Sequence, residues 1–381
     1  MKLVIHDLEP AQWEHFKRSY DGWTVVSDSG TIRSCTGCFS CWHRTPGQCV
    51  IKDGYDNMGY LVHHAEEVHI ISCYTYGTIS SFVKNVFDRS LGYVLPQFEI
   101  VNGESHHQKR YDEDKPFTFI FYGPELTEAE QESARRYALS ACTNFRTHVK
   151  DVLFQVTEER KERQERSREI PEGQTVLLNG SIRFRNGNSA ILSKQLSKEL
   201  KTGSKTIALM QYQDRYAELS GILSHASDLV LCLPLYVDGL PSQVLRFMHY
   251  YEETCEGPAK RVYVLANMGL YESRQLANLF EEVRQWCEAM DFRYCGGLGV
   301  SAGELIGVMM QHIPFGFWPT QEIAAGMKKL ALAIDQGRTI NDIYAEPHHF
   351  PRSVYIEIAN RNWNNLARKN GIDPKELYRR L

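Results

Sequence analysis

Short apolar runs alternate with apolar stripes at helical spacing along this chain, and the alternation occurs twice. In the first half the runs are Lys2–Ile5, Thr24–Val26, Val68–Ser72, Phe117–Phe121 and Val152–Val156. In the second they are Val176–Leu178, Ile207–Met210, Leu229–Leu233, Val262–Ala266 and Arg293–Cys295. Runs of this kind suit strands buried on both faces of a parallel sheet. After the fourth run of each half comes a helical stripe: Ala134, Tyr137, Ala138, Ala141, Cys142 and Phe145, then Leu276, Leu279, Phe280, Val283, Trp286, Cys287 and Met290. Strands that alternate with helices across short loops imply an α/β fold with helices on both faces of each sheet. HAEEVHIISCYTYG at His64–Gly77 can be laid over HASDLVLCLPLYVDG at His225–Gly239 with one residue inserted, which reads as an internal duplication. Five strands per half suggest the order 2-1-3-4-5, with ligands at the carboxyl ends of the strands.

A length of 381 residues suits two domains. The expected boundaries are 1–156 for the first, 157–174 for a charged linker, 175–335 for the second and 336–381 for a helical tail without a further strand. In that tail Tyr355, Ile358, Ala359, Trp363 and Leu366 form a stripe to be buried on a domain or a partner subunit. A net charge of −4 gives no reason to expect nucleic acid. No apolar run is long enough to span a bilayer, so no membrane partner is expected. MKLVIHDLEP carries acids where a signal peptide keeps its apolar core, which points to the cytoplasm.

The stretch Thr175–Leu200 combines a buried strand, a loop of small and polar residues, and a helix with Leu192, Leu196 and Leu200 on one face. Asn188 or Ser189 is a good N-cap. Free backbone N–H groups and the helix dipole make such a junction an anion site. Ser181, Arg183, Asn186, Gly187, Asn188 and Ser189 are its candidate donors. The loop is neither G-x-x-x-x-G-K-[ST] nor G-x-G-x-x-G. The corresponding loop of the first half, HDLEPAQWEHF, carries Asp7 and Glu9 and has no glycine or arginine. Carboxylates there compete with a phosphate.

GSIRFRNGNS resembles the phosphate loop of the flavodoxin-like NAD(P)H-dependent FMN reductases, with Ile182 in place of a proline and one extra residue before Gly187. The resemblance implies two tandem flavodoxin-like domains, with FMN held by the second. The segment Pro234, Leu235, Tyr236, Val237, Asp238, Gly239 is similar to the family's loop along the isoalloxazine. Asn267, Met268 and Gly269 stand where the family touches the ring again. The implied activity is FMN-dependent oxidation of NAD(P)H. Electrons would pass to a small-molecule or protein acceptor; the flavin carries the reaction, and no acid–base catalyst is assigned.

Cys35, Cys38 and Cys41 are spaced C-x-x-C-x-x-C, with Cys49 eight residues on. CTGCFSCW, PGQC, KDGYD and YGTISSFVKNVFDR are similar to the compact cysteine motif of the iron–sulfur flavoproteins, which implies a [4Fe–4S] cluster on these four thiolates. Metal-free thiols and a zinc site are the other two readings, in that order. An electron carrier that uses no pyridine nucleotide, and a cofactor-free scaffold or thiol sensor, are the corresponding alternatives for function. Cys73, Cys142, Cys232, Cys255, Cys287 and Cys295 read as core residues. His106, His107, His348 and His349 read as solvated loop residues. Proteins of the family pair as homodimers, so the two halves are expected to face each other as a pseudo-dimer, with Tyr74 and Tyr76 walling the flavin; a homodimer of the whole chain is the other arrangement.

Overall fold

A computed structural model describes residues 1–160, 166, 169–185 and 187–381, with Glu304 described by its backbone only. The chain forms two compact units: Met1–Lys161 together with Ile356–Leu381, and Glu162–Tyr355.

The first unit runs β1 (Leu3–His6), α1 (Pro10–Phe16), β2 (Thr24–Ser27), α2 (Ser40–His43), α3 (Met58–His64), β3 (Val68–Cys73), α4 (Ser81–Arg89), β4 (Val94–Val101), β5 (Glu104–Lys109), β6 (Pro116–Gly123), α5 (Glu128–Phe145) and β7 (His148–Val156). Its sheet is β2-β1-β3-β6-β7, all parallel, which is the order 2-1-3-4-5. The expected strands are present, each displaced or extended by a few residues. Two sequence signals set helix starts. Ser80 accepts the N–H of Val83 at the head of α4. Thr127 and Glu130 exchange bonds in a capping box at the head of α5.

The second unit runs β8 (Gln174–Asn179), α6 (Asn188–Glu199), β9 (Lys205–Ala208), α7 (Tyr216–Ser224), β10 (Ala226–Pro234), α8 (Ser242–Thr254), β11 (Arg261–Asn267), α9 (Ala277–Ala289), β12 (Arg293–Val300), α10 (Gly303–Met309), α11 (Gln321–Asp335) and β13 (Ile343–Ala345). Its sheet reads β9-β8-β10-β11-β12-β13, again parallel. Both units are thus flavodoxin-like. The core of the second packs Leu177, Val230, Leu265 and Leu298 of the sheet with Leu192, Leu196, Met327 and Leu330 of the helices.

Four expectations differ from the structure. The stretch expected to lack strands supplies β13, a sixth strand paired with β12. Its three residues are too few to give a periodic signal. The stretch expected to be irregular, near Gln97–Lys115, is the antiparallel hairpin β4–β5. Asn102 and Gly103 both have positive φ at its tip, and Asn-Gly is the residue pair such a turn selects. That hairpin places His106 in a buried position and His107 between the rings of Trp42 and Phe98, so neither is a solvated loop residue. His348 is half-buried and contacts Glu322 at 2.8 Å, while His349 is exposed as expected.

The charged linker lies in part outside the described residues. Arg166 within it donates to the carbonyls of Met290 and Cys255, at 2.8 and 2.6 Å. The tail forms the helix α12 (Arg352–Lys369). Tyr355 and Ala367 are buried in it, whereas Ile358 is 46% exposed, so the expected stripe is covered only in part. No described helix is long and apolar enough to cross a membrane.

Candidate functional site

Loops at the carboxyl ends of β8, β10 and β11 converge in the second unit. After β8, Asn179 organises the turn: its Oδ1 accepts the N–H of Ser181 at 2.9 Å, and its Nδ2 donates to the carbonyl of Phe184 at 3.2 Å. Ser181 and Ile182 are buried and Arg183 is exposed. Gly187 then donates to the carbonyl of Arg183 at 2.7 Å. A Cβ at Gly187 would stand 2.8 Å from that carbonyl oxygen and 3.0 Å from Ser181 Oγ, so this position needs glycine. Gly187 is the N-cap of α6 and offers no side chain to the helix. Among the described residues the N–H groups of Asn188 and Ser189 have no hydrogen-bond acceptor. These are the orphan donors that a helix N-terminus presents to an anion. Asn186 lies outside the described residues.

Asn267, the last residue of β11, joins all three loops. Its Nδ2 donates to Ser189 Oγ at 2.7 Å and to the carbonyl of Leu233 at 3.2 Å. Its own carbonyl accepts the N–H of Leu235 at 2.8 Å. Ser189 Oγ therefore acts as an acceptor here and keeps its hydroxyl proton for another partner. The next residue, Met268, donates to Val300 at 3.1 Å, and Gly269 is exposed with open space beside it. The Tyr355 hydroxyl donates to the carbonyl of Gly269.

The loop after Pro234 is a tight turn in which Tyr236 and Gly239 exchange both backbone bonds at 3.0 Å. Val237 and Asp238 have φ of 38° and 61°. A β-branched residue at positive φ is strained. Leu235, Tyr236 and Val237 are partly exposed, and Asp238 and Gly239 are buried. Glu282 of α9 accepts the N–H of Leu240 at 3.0 Å and lies so close to Gly239 that a Cβ there would stand 2.3 Å from its Oε1. The sequence reading did not single out Glu282. A buried acid on an otherwise apolar helix stripe was the signal available.

The first unit repeats the turn after its third strand, with Thr75 and Thr78 exchanging bonds at 2.9 Å and Tyr76 and Gly77 at positive φ. Its first loop differs. Asp7 turns inward, accepting from the N–H of Cys73 and from Ser72 Oγ, and burial raises its pKa against hydrogen bonds from Ser80, Cys73 and Tyr122. The Trp13 ring stacks on His6 at 4.0 Å.

The cysteine segment follows β2. Cys38 is exposed, and Cys35, Cys41 and Cys49 are partly buried. Cys35, Cys49 and Cys38 all lie near enough to Cys41 to add to the rise in its pKa. Burial pushes Cys35 up to about 12 and Cys41 well above the usual thiol range. At Cys38 burial acts the same way, but hydrogen bonds with Ser40 and Thr36 outweigh it and lower the pKa. Among the described residues no three His, Cys, Asp or Glu side chains stand close enough to hold a single metal ion. Tetrahedral zinc would need thiolates roughly 3.8 Å apart, given Zn–S bonds of about 2.3 Å. Four thiols on one segment are the donor set that a cluster spread over several irons would use.

Two further groups grip this segment. From α4, Asn85 accepts the N–H of Cys35 at 3.2 Å and Arg89 donates to Cys49 Sγ at 3.1 Å. From the tail, Trp363 packs edge-on against Phe39 and Trp42, at 5.6 and 5.2 Å, and Asn370 accepts from Arg44 at 2.9 Å. The sequence reading expected Trp363 to be buried and placed Asn85 and Arg89 in a motif-like stretch, but assigned none of them to the cysteines, and it did not single out Asn370. Lys84/Asp88 and Asn85/Arg89, polar pairs at i and i+4, are all buried on α4, and that spacing was the signal available. Of the six cysteines assigned to the core, five are buried and Cys73 is partly exposed.

No protein-family profile and no curated protein matches the chain. Among solved structures it is similar to the Trp repressor binding protein from Bacillus subtilis, at 18% identity and a TM-score of 0.29, over 33% of this chain and 81% of that one. It is also similar to a flavone reductase, at 14% identity and a TM-score of 0.32, over 44% of this chain and 65% of that one. Nothing about this chain is taken from likeness at this level.

Proposed function

We propose that the chain is an FMN-dependent NAD(P)H oxidoreductase that binds one FMN, in its second unit, and passes electrons to a small-molecule or protein acceptor. The observation that carries this reading is Asn267, whose side chain and carbonyl tie the anion loop, the Pro234–Gly239 turn and its own loop into one rim. FMN would supply the hydride chemistry. The chain's part is to bind and orient it. Ser181, Arg183 and the N–H groups of Asn188 and Ser189 would hold the phosphate, with Gly187 shaping the turn that presents them. Leu235, Tyr236, Val237, Met268 and Gly269 would border the ring, with Asp238 and Gly239 shaping the turn. Asn186 is proposed with the phosphate donors on sequence alone. Ten free thiols suit a reducing compartment such as the cytoplasm.

Absorbance and bound-flavin analysis of the purified protein test this directly. One FMN per chain, bleached rapidly by NADH or NADPH without oxygen, is the expected result. Asn267→Ala should weaken FMN binding and loosen all three loops. A colourless protein that takes up no added FMN would overturn the proposal.

A second reading adds a [4Fe–4S] cluster on Cys35, Cys38, Cys41 and Cys49, feeding single electrons to the flavin. The shared neighbourhood of the four thiols favours it. Protein prepared without oxygen should then hold about four iron and four sulfide per chain. Cys38→Ser should lower both and leave flavin bound. Iron-free protein from a cluster-competent host would sink this second reading and leave the first standing.

A further inference from the structure

The guanidinium of Arg89 is buried, and all five of its N–H donors are engaged around the cysteine segment. Nε donates to Cys49 Sγ at 3.1 Å. One terminal nitrogen donates to the carbonyl of Arg33 at 2.7 Å and to Asp53 Oδ2 at 3.0 Å. The other donates to the carbonyl of Ile51 at 2.9 Å and to Asp53 Oδ1 at 3.0 Å. Arg33 precedes Cys35 and Ile51 follows Cys49. One rigid fork on α4 therefore pins both ends of the segment and touches one of its thiols. The Asp53 carboxylate holds the fork in plane by the bidentate geometry that arginine favours. Burial pushes Asp53 up, but the bonds from Arg89 and from the N–H groups of Arg33 and Tyr55 outweigh it and hold it at about 2.

We propose that Arg89 is the positioning residue of the cysteine segment: it closes the 33–51 loop against α4 and directs a cationic N–H at Cys49 Sγ. Closure restricts the conformations open to the loop, so the thiols are arrayed before anything binds them. A cationic donor on a ligand sulfur also raises the potential of a cluster held there, because hydrogen bonds to the sulfurs and local charge are among the levers that set it. This second consequence rests on the cluster reading; the first does not.

Two measurements on the full chain separate the consequences. Hydrogen exchange, with no metal present, reads the closure. Arg89→Lys keeps the charge but loses the fork, and Arg89→Gln loses both. Each should speed amide exchange in the 33–51 loop about tenfold or more, the cost of losing charge-assisted bonds, while β1, β3 and β6 keep their protection. Unchanged exchange in the loop, or acceleration spread evenly through the sheet, overturns the assignment. If Arg89→Gln does not fold, Asp53→Asn takes its place, leaving Arg89 present with a slackened fork and expected to give a smaller acceleration confined to the same loop. Redox titration of protein prepared without oxygen reads the tuning. Arg89→Gln should shift the cluster midpoint to lower potential and Arg89→Lys should stay nearer the wild type. An unmoved midpoint in Arg89→Gln overturns the tuning. Wild type without iron removes the cluster reading, and the exchange result still decides the role of Arg89.

Discussion

The carboxylate of Asp7 accepts the backbone N–H of Cys73, at 3.1 and 3.2 Å from its two oxygens. Asp7 follows β1 and Cys73 ends β3, so this bond lies across the strand ends where a flavodoxin-like sheet receives its ligand. In the first unit a carboxylate of the protein thus sits across the ends of β1 and β3, whereas the first strand of the second unit leads into the Asn179–Ser189 loop. Three outcomes follow. Bound FMN should saturate at one per chain. Arg183→Ala should weaken it roughly tenfold to a hundredfold, the range expected for a charge-assisted bond. Asp7→Ala should leave FMN affinity unchanged. Isothermal titration of the apoprotein checks all three, and a second equivalent of FMN would contradict the assignment.

Gly239 and Glu282 are in close contact, and a side chain at 239 has no room beside that carboxylate. Gly239→Ala should cost about 1–3 kcal/mol through overpacking. Glu282→Ala removes the acceptor of the Leu240 N–H and should cost about 1–3 kcal/mol by leaving a buried donor unmatched. Because the two share one contact, the double variant should be less destabilised than the sum. Strict additivity in urea melts would show that the turn does not rest on Glu282.

His107 gives the first unit a pH dependence. Burial pushes its pKa down to about 4, with the rings of Trp42 and Phe98 beside it and His106 adding to the shift. The unfolded chain takes up this proton near pH 6.5, and the folded chain takes it up only near pH 4. Between those values the unfolded state binds more protons, so stability is complete above about 6.5 and falls as pH drops toward 4. Equilibrium melts of His107→Gln should show a shallower fall across that window. An identical slope in wild type and variant would remove His107 as its source.

The buried Arg110 donates to the carbonyls of Leu377 and Arg379 at 2.6 and 2.7 Å. Deleting residues 372–381 takes away both acceptors and the Leu381 side chain that covers Gly47. Each unmatched charged donor should cost about 1–3 kcal/mol or more. The truncated chain should melt at lower temperature, and Cys41 and Cys49 should alkylate faster. A truncated protein with unchanged melting and unchanged thiol reactivity would mean the tail does not support the cysteine segment.

Local pattern determined much of this protein. Apolar runs and helical stripes were sufficient for both parallel sheets, because strand burial and helix amphipathicity are written in neighbouring residues. The anion loop was legible for the same reason: small residues between Leu178 and Leu192 announce a turn into a helix. Only tertiary structure decided the rest. β13 is three residues long and exists because β12 offers it an edge. Asn267 is a ring contact only by resemblance, and nothing near it in sequence announces that Ser189 accepts its amide. Nothing beside Arg89 in sequence announces that Arg33, Ile51, Asp53 and Cys49 converge on it. A buried charge costs too much to keep unless several partners meet it at once. Those partners are scattered along the chain, so no window of sequence contains them.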